Sequence, residues 1–367
     1  MSSWRECKLG DVLELKYGKD HKALNDGNIP VFGSGGIMRY SDTFLYDDES
    51  ILIPRKGTLN NIFYINEPFW TVDTIFWSKI NKKEAFGKFL FYQLKTIDFA
   101  SLNVGSAVPS LTTKVLNEVD ISLPPLEEQK AIAEVLSSLD DKIDLLHRQN
   151  QTLESLAGTL FRQWFIEEAK EEWEIGKLGD YIDIVDNRGK TPPISDDVTK
   201  YPIIEVNALS GESRLVNYSV IKKHVTEDVY NSWFRAGHPK LYDTLLSTVG
   251  SIGEIAMFLL EKGSIAQNIV ALRAKNISPF YLYENIKFMQ NELKELDIGS
   301  VQPSIKVTHL VKIDFVKPDD EILKKFDEQM MDISNKVIVN SEQIQILENL
   351  RDTLLPKLLN GEVRVEI

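Results

Sequence analysis

The chain is short of several things, and each shortage excludes something. It has a single cysteine, Cys7, so it forms no internal disulfide, and a reducing cytoplasm is the expected compartment. No run of about 18 apolar residues occurs, which excludes a membrane-spanning helix. The opening MSSWRECKLGDVLEL lacks the basic-then-apolar pattern of a secretion signal. His21, His147, His224, His238 and His309 are scattered without metal-ligand spacing, so neither a metal nor a cofactor is expected. Positive charge is also scarce. Lys and Arg number 42 against 55 Asp and Glu, for a net charge of −13, which taken alone argues against a nucleic-acid partner. What is present is 367 residues, 43% of them apolar and 26% charged. That is enough for two or three domains with real cores, and it excludes wholesale disorder.

The chain repeats itself. WRECKLGDVLELKYGK (4–19) returns as WEIGKLGDYIDIVDNRGK (173–190) at an offset of 169. GSAVPSLTTKVLNEVDISLP (105–124) returns as GSVQPSIKVTHLVKIDFVKP (299–318) at an offset of 194, so the second copy carries 25 more residues between the two anchors. An insertion of that size is expected in surface loops. Within each copy, short runs broken by Gly, Pro and Asn predict strands: 50–54, 61–65 and 74–77, then 201–206, 254–260 and 268–274. Helical spacing predicts short helices at 84–97 and 280–296. Each copy therefore reads as a mixed α/β module, strand-rich first and helical late.

Each module is followed by a long helical pattern. Ile132, Leu136, Leu139, Ile143, Leu146, Asn150, Leu153, Ala157, Leu160 and Trp164 step by four and three, as a coiled-coil seam does. So do Phe326, Met330, Ile333, Val337, Asn340, Ile344, Leu347, Arg351, Leu354 and Leu358. Both patterns start after a proline with acids in the first turn; the second stops at Asn360-Gly361, with Pro356 expected to kink or fray its end. Asn150 and Asn340 do not align in the repeat. Facing them in an antiparallel pair makes every pair of seam numbers sum to 490, so that Ile132 meets Leu358 and Trp164 meets Phe326. A paired Asn satisfies its own hydrogen bonds and fixes register, so Asn150 and Asn340 are the expected register residues. Two such helices of about 40 residues span roughly 60 Å. Trp164 is expected in the seam, and Trp173, like Trp4, in its module's core. Glu127, Glu128, Glu134, Asp140, Asp141, Asp144 and Arg148 are expected on exposed helix faces.

LPPLEEQKAIAEVLSSLDDKIDLLHRQNQTLESLAGTLFRQWF (123–165) resembles the first conserved helical region of type I restriction–modification specificity subunits. The LGD near the start of each half, GKTPP (189–193) and the GS..PS before each helix are also similar to that family, so the resemblance covers essentially the whole chain. It implies an α+β architecture with an internal pseudo-twofold repeat: target-recognition domains at 1–124 and 171–318, and conserved spacer helices at 125–170 and 319–367 that form an antiparallel coiled coil. Each recognition domain would read one half of a bipartite site in double-stranded DNA. The helices would set the spacing and dock two methyltransferase subunits, with nuclease/translocase subunits joining them. The second helix departs from the family motif at its start (DDEILKKFDEQM).

The resemblance also implies a subunit without catalytic activity of its own, and no enzyme constellation survives inspection. Gly189-Lys190-Thr191 lacks the leading glycine of a phosphate loop, because Ile184 stands there, and Pro192-Pro193 follow; it reads as a turn. FGSGG (32–36) has the wrong spacing for a methyltransferase glycine loop, and neither Asp-Pro-Pro-Tyr nor Asn-Pro-Pro-Tyr occurs. Candidate DNA contacts are Lys19, Arg55, Lys56, Thr58, Asn60 and Asn61 in the first module, and Arg188, Lys190, Thr191, Thr248, Ser251, Gln267 and Asn268 in the second. PRKGTLNN (54–61) and STVGSIGE (247–254) occupy the same place in the repeat, the first with cations and the second with hydroxyls. A Gly-Thr-Asn cluster between strands is ordinarily a turn, which is the competing reading for each residue. The runner-up for the whole chain is a coiled-coil scaffold with two protein-binding modules. Charge, divided by segment, loses its objection to DNA. Residues 1–125 carry −1 and 175–318 carry 0, whereas 126–174 carry −7 and 319–367 carry −5.

Overall fold

The computed structural model describes residues 4–105, 107–189, 191–259, 262–295 and 303–365. They form two compact units: Met1–Asp144 with Gln345–Ile367, and Leu145–Ile344. No helix of the described residues is long and apolar enough to cross a membrane.

In the first unit, β-branched and aromatic runs form a four-stranded sheet in the order Leu13–Tyr17, Ile75–Ile80, Ser50–Pro54, Phe63–Ile65, all neighbours antiparallel. A smaller sheet pairs Ile29–Gly33 with Gly36–Ser41 and, in parallel, with Trp70–Thr71. In the second unit the main sheet runs Ile182–Val185, Ile269–Ala274, Thr244–Ser247, Ile255–Met257, which is the same order and sense. The sequence repeat is therefore a repeat of topology. The strand expected over 201–206 shrinks to Ile203–Ile204, since Pro202 has no N–H to give and a 3₁₀ turn starts at Val206. That over 254–260 is Ile255–Met257, and residue 260 lies outside the described residues. The expected helices appear as Gly87–Lys95 and as Pro279–Phe288 followed by Gln290–Glu295; residue 296 is also outside them.

The Lys-Leu-Gly-Asp repeat is a clasp. In each copy the leucine, Leu9 or Leu178, is fully buried. The aspartate accepts the N–H of its own lysine, Asp11 from Lys8 at 2.9 Å and Asp180 from Lys177 at 3.0 Å. The lysine side chain pairs with an acid on the module's last strand, Lys8 with Asp120 at 2.7 Å and Lys177 with Asp314 at 2.5 Å. At Gly179 a Cβ would lie 2.9 Å from Val311 Cβ, so the backbone approaches too closely for any side chain.

The long helices are Leu126–Arg162, continued by a π-helical turn at Gln163–Glu167, and Asp320–Leu359. The second runs on through Pro356 instead of fraying there. Proline removes one donor, but Asn360 N–H still donates to Pro356 O at 3.0 Å, and Gly361 closes the end with φ +75°. In the second unit, Asn340 Nδ2 donates to Asn150 Oδ1 at 2.9 Å, and the Trp164 and Phe326 rings lie 6.0 Å apart. Both pairs sum to 490. The asparagines do not bond reciprocally: Asn150 Nδ2 donates to Ser341 Oγ at 3.3 Å, and Asn340 Oδ1 is buried with no partner among the described residues. Seam and module share one core in each unit. Ile132, Leu136 and Leu358 join Phe89, Leu90 and Leu94; Ala157, Met330, Ile333 and Val337 join Tyr281, Leu282 and Phe315. Trp173 is buried in the second core, and Trp4 packs against the first.

Two acids expected on exposed helix faces are not there. Glu128 is buried and pairs with Arg364 at 3.1 Å. Asp140 is half-buried, accepting from Tyr92 OH at 2.7 Å and pairing with Arg351 at 2.9 Å. The 25 extra residues are more than a surface loop. The repeat offset is 169 at Tyr17 and 193 at Pro54, so 24 of them fall between main-sheet strands Ile182–Val185 and Thr244–Ser247, in 186–243. There they build a core of their own from Tyr201, Ile203, Val225 and Phe234. Arg214 of this segment is fully buried and ion-pairs with Glu154 of the first long helix (3.0 Å) and Glu284 (3.1 Å) and donates to Ser334 Oγ of the second long helix (2.9 Å). Burial pushes the Glu154 carboxyl up, but Arg214 and Lys287 outweigh it and leave it below the ordinary value. For Glu284 burial prevails, and its carboxyl is raised.

Candidate nucleic-acid interface

In the first unit the candidate residues gather at one end of the main sheet. Strand Leu13–Tyr17 ends there, and Lys19 N–H donates to Thr71 O at 2.8 Å. Arg55 and Lys56 leave strand Ser50–Pro54 and donate their N–H groups to Thr74 O at 2.8 and 3.2 Å. The Arg55 guanidinium lies 5.4 Å from the Tyr17 ring centre and donates to Asp73 O at 3.1 Å, so it is half-buried and held. Lys19, Lys56 and Thr58 are exposed, with no side-chain partner among the described residues. The two asparagines serve the loop itself. Asn60 Nδ2 donates to Asp98 Oδ1 (3.1 Å) while its Oδ1 accepts Ala100 N–H (3.0 Å), and Asn61 Nδ2 donates to Ser34 O (3.0 Å).

A backbone clamp fixes this loop, and the second unit repeats it bond for bond. Gly57 N–H donates to Pro109 O at 3.1 Å, and Leu111 N–H to Arg55 O at 2.9 Å. Gly250 N–H donates to Pro303 O at 2.9 Å, and Ile305 N–H to Thr248 O at 2.9 Å. Arg55 N–H to Thr74 O has its counterpart in Thr248 N–H to Asn268 O, both 2.8 Å. The Pro-Ser end of each GS..PS anchor of the sequence repeat is thus the strap across the candidate loop; Ser106 of the first anchor and residues 299–302 of the second lie outside the described residues.

The side chains on this shared frame differ. Thr248 stands where Arg55 does, but it is fully buried with its hydroxyl 3.4 Å from Asn268 O. Ser251 is exposed at the hairpin turn, and its carbonyl accepts Ser247 Oγ at 2.6 Å. Arg188, the counterpart of Lys19, is forked onto its neighbour Asp186, with Nε 2.9 Å from both carboxylate oxygens. That hydrogen bonding raises the Arg188 pKa. Lys190 lies outside the described residues. Thr191, Gln267 and Asn268 do come together, on the wall of a cleft of about 460 Å³ beside the clamped loop. The longer segment 186–243, which includes Thr191, supplies most of the wall, including Asn187, Asn207, Trp233 and Phe234.

A family model described as the type I restriction modification DNA specificity domain matches residues 1–155 and again 170–350. The chain belongs to that family. Among its relatives, the specificity subunit of the type I restriction enzyme MjaIX from Methanocaldococcus jannaschii is 27% identical, over 88% of this chain and 79% of the relative. The MjaVIII specificity subunit of the same organism is 26% identical, over 99% and 93%. A crystal structure of the type I restriction–modification S subunit from M. genitalium superposes with a TM-score of 0.70 at 18% identity, covering 97% of this chain and 96% of that one, which shows a common fold.

For this specificity-family chain, the motifs that repeat are structural: the Lys-Leu-Gly-Asp clasp and the GS..PS strap. The side chains free to meet a ligand are those that differ between copies. Tyr17, Asn207 and Trp233 were not singled out by the sequence, because nothing in their local spacing marks them. Only tertiary placement puts them beside Arg55 or in the cleft.

Proposed function

We propose that this chain is the non-catalytic DNA-recognition subunit of a type I restriction–modification complex. Its modules at 1–124 and 171–318 each read one half of a bipartite double-stranded site. The helices at 125–170 and 319–367, registered by Asn150 and Asn340, set the spacing and dock two methyltransferase subunits; nuclease/translocase subunits join that assembly. The observation that carries this reading is the doubled frame: two copies of one sheet, each presenting a loop strapped by the same backbone bonds, in a chain matched twice by the specificity-domain family. Lys19, Lys56 and Thr58 of the first module are free to meet phosphates or base edges, with Arg55 held beside them. In the second module the candidate side chains with no partner among the described residues are those of Thr191, Ser251, Gln267 and Asn268. Thr248, Asn60 and Asn61 are better assigned to holding the loops. The test is a map of methylated bases across a genome with and without this gene. A two-part motif that disappears with the gene supports the reading, and an unchanged map overturns it in favour of a protein-binding scaffold.

A further inference from the structure

We propose that the cleft of the second unit holds an extrahelical nucleobase, turned out of the duplex that this unit contacts. The inference rests on the reading of that unit as a DNA reader, and it adds a binding site to it. Size comes first. About 460 Å³ lies within the roughly 300–1,000 Å³ of small-molecule sites, and a stacked base pair offers a concave cleft only an edge. Charge narrows the ligand. Among the described residues the ionised side chains on the wall, Lys223 and Glu205, pair with each other at 2.6 Å, so the described wall holds no unpaired charge for a phosphate or a cation. Polar groups then specify a neutral ring with donors and acceptors. The side chains of Thr191, Asn207, Gln267 and Asn268 have no hydrogen-bond partner among the described residues, and amides of this kind pair with the edges of bases. The indole of Trp233 is partly exposed at the end of helix Glu227–Trp233 and offers a stacking face beside buried Phe234.

Position supports the same ligand. Asn268 is both a wall of the cleft and the acceptor of the Thr248 N–H, so the cleft abuts the loop that matches the basic loop of the first unit. The segment 186–243, where the second copy is longer than the first, supplies most of the remaining wall. Extrusion costs a few kcal/mol of pairing and stacking, and less when the pair is already weakened. A cleft that holds the base therefore prefers a mismatched duplex at one position.

The experiment uses the chain assembled with its methyltransferase subunits and duplexes carrying the mapped site, each with one mismatched pair. At one position of one half-site, the mismatched duplex is expected to bind about 10-fold tighter than the paired one. That advantage is expected to vanish in Trp233→Ala and in Gln267→Ala and to return in Trp233→Phe, which keeps an aromatic face and controls for folding. The proposal is overturned if no position gains. It is overturned too if the gain survives Trp233→Ala, because the base then lies outside the cleft. Binding of free nucleosides to the isolated chain, abolished by Trp233→Ala, would make the cleft a site for a free ligand instead. Sequence-specific methylation by the unaltered complex separates failure of this proposal from failure of the DNA-reading assignment.

Discussion

Lys56 and Val249 occupy one position of one frame: each follows the clamped residue, and each forms an isolated bridge to the strap, with Ser110 and Ser304. The backbone geometry is therefore settled by the fold, and the side chain is left to differ. The Lys56 side chain is exposed and has no partner among the described residues, so its contribution to DNA binding is expected to be electrostatic. Lys56→Ala in the assembled complex should weaken binding across all sequences and reduce the slope of log K against log salt by about 1, as one lost phosphate contact does. An unchanged slope in a salt titration refutes the contact. Arg55 is different, because its guanidinium is already committed to Asp73 O and the Tyr17 ring. Arg55→Lys keeps the charge and loses the held geometry, so it should lower discrimination between sites more than it lowers salt dependence. At the buried Arg214, removal strands two carboxylates. Arg214→Met is expected to destabilise the second unit by about 3–5 kcal/mol in denaturant titration. The pH dependence follows from the shifts. Glu154 is held below its ordinary value in the folded chain, so its stabilisation is present above the unfolded value and fades as pH falls through the folded one. Glu284 is held above it, so the stability it allows is complete below the unfolded value and declines as pH rises through the folded one. Without Arg214 both carboxyls move upward, and the variant should regain stability on acidification from pH 8 towards 5 relative to the parent.

At the scale of elements, the strands and the long helices were legible because their signals are local or periodic. Ser50–Pro54 is fully buried and apolar from Ile51 to Pro54, and the two seams keep a four-and-three step for ten positions each. The antiparallel register was legible for a different reason: two asparagines at non-equivalent repeat positions leave one offset that pairs them. What stayed hidden depends on partners far apart in sequence. Arg214 meets groups 60, 70 and 120 residues away, and no local pattern marks it. The amides of Asn60 and Asn61 looked free because their partners, Asp98, Ala100 and Ser34, are brought near only by the fold. The asparagine pair itself is predicted to act on register more than on stability. Asn340 Oδ1 is buried without a partner among the described residues, so replacing both asparagines by leucine removes an unsatisfied acceptor and adds apolar contact. Asn150→Leu/Asn340→Leu should be at least as stable as the parent, whereas Asn340→Leu alone leaves Asn150 Oδ1 without its donor and should lose about 1 kcal/mol. A double-mutant cycle in thermal unfolding measures this coupling, and strict additivity of the two substitutions would rule it out.

For the whole chain, the net charge of −13 means something only once it is placed. Residues 126–174 and 319–367 carry −12 of it, and the stretches that bear the candidate DNA contacts are close to neutral. Local cations such as Lys19 and Lys56 can then act at short range, within a Debye length of about 8 Å at physiological salt, without a favourable long-range field from the rest of the chain. Steering of DNA to this subunit alone should accordingly be poor, and in the proposed assembly most of the phosphate attraction is expected from basic surface on the other subunits. Two measurements follow from that division. The isolated chain should bind duplex weakly, with a salt slope no steeper than the few free cations of the first module allow. Assembly with methyltransferase subunits should tighten binding and steepen the slope together, because the added affinity is counterion release from added phosphate contacts. If assembly tightened binding with no change in slope, the gain would have to come from ordering the strapped loops, and the partner's charge would be irrelevant. The straps already hold those loops by backbone bonds in both units, so little ordering remains to be gained. The steeper slope is the expected result.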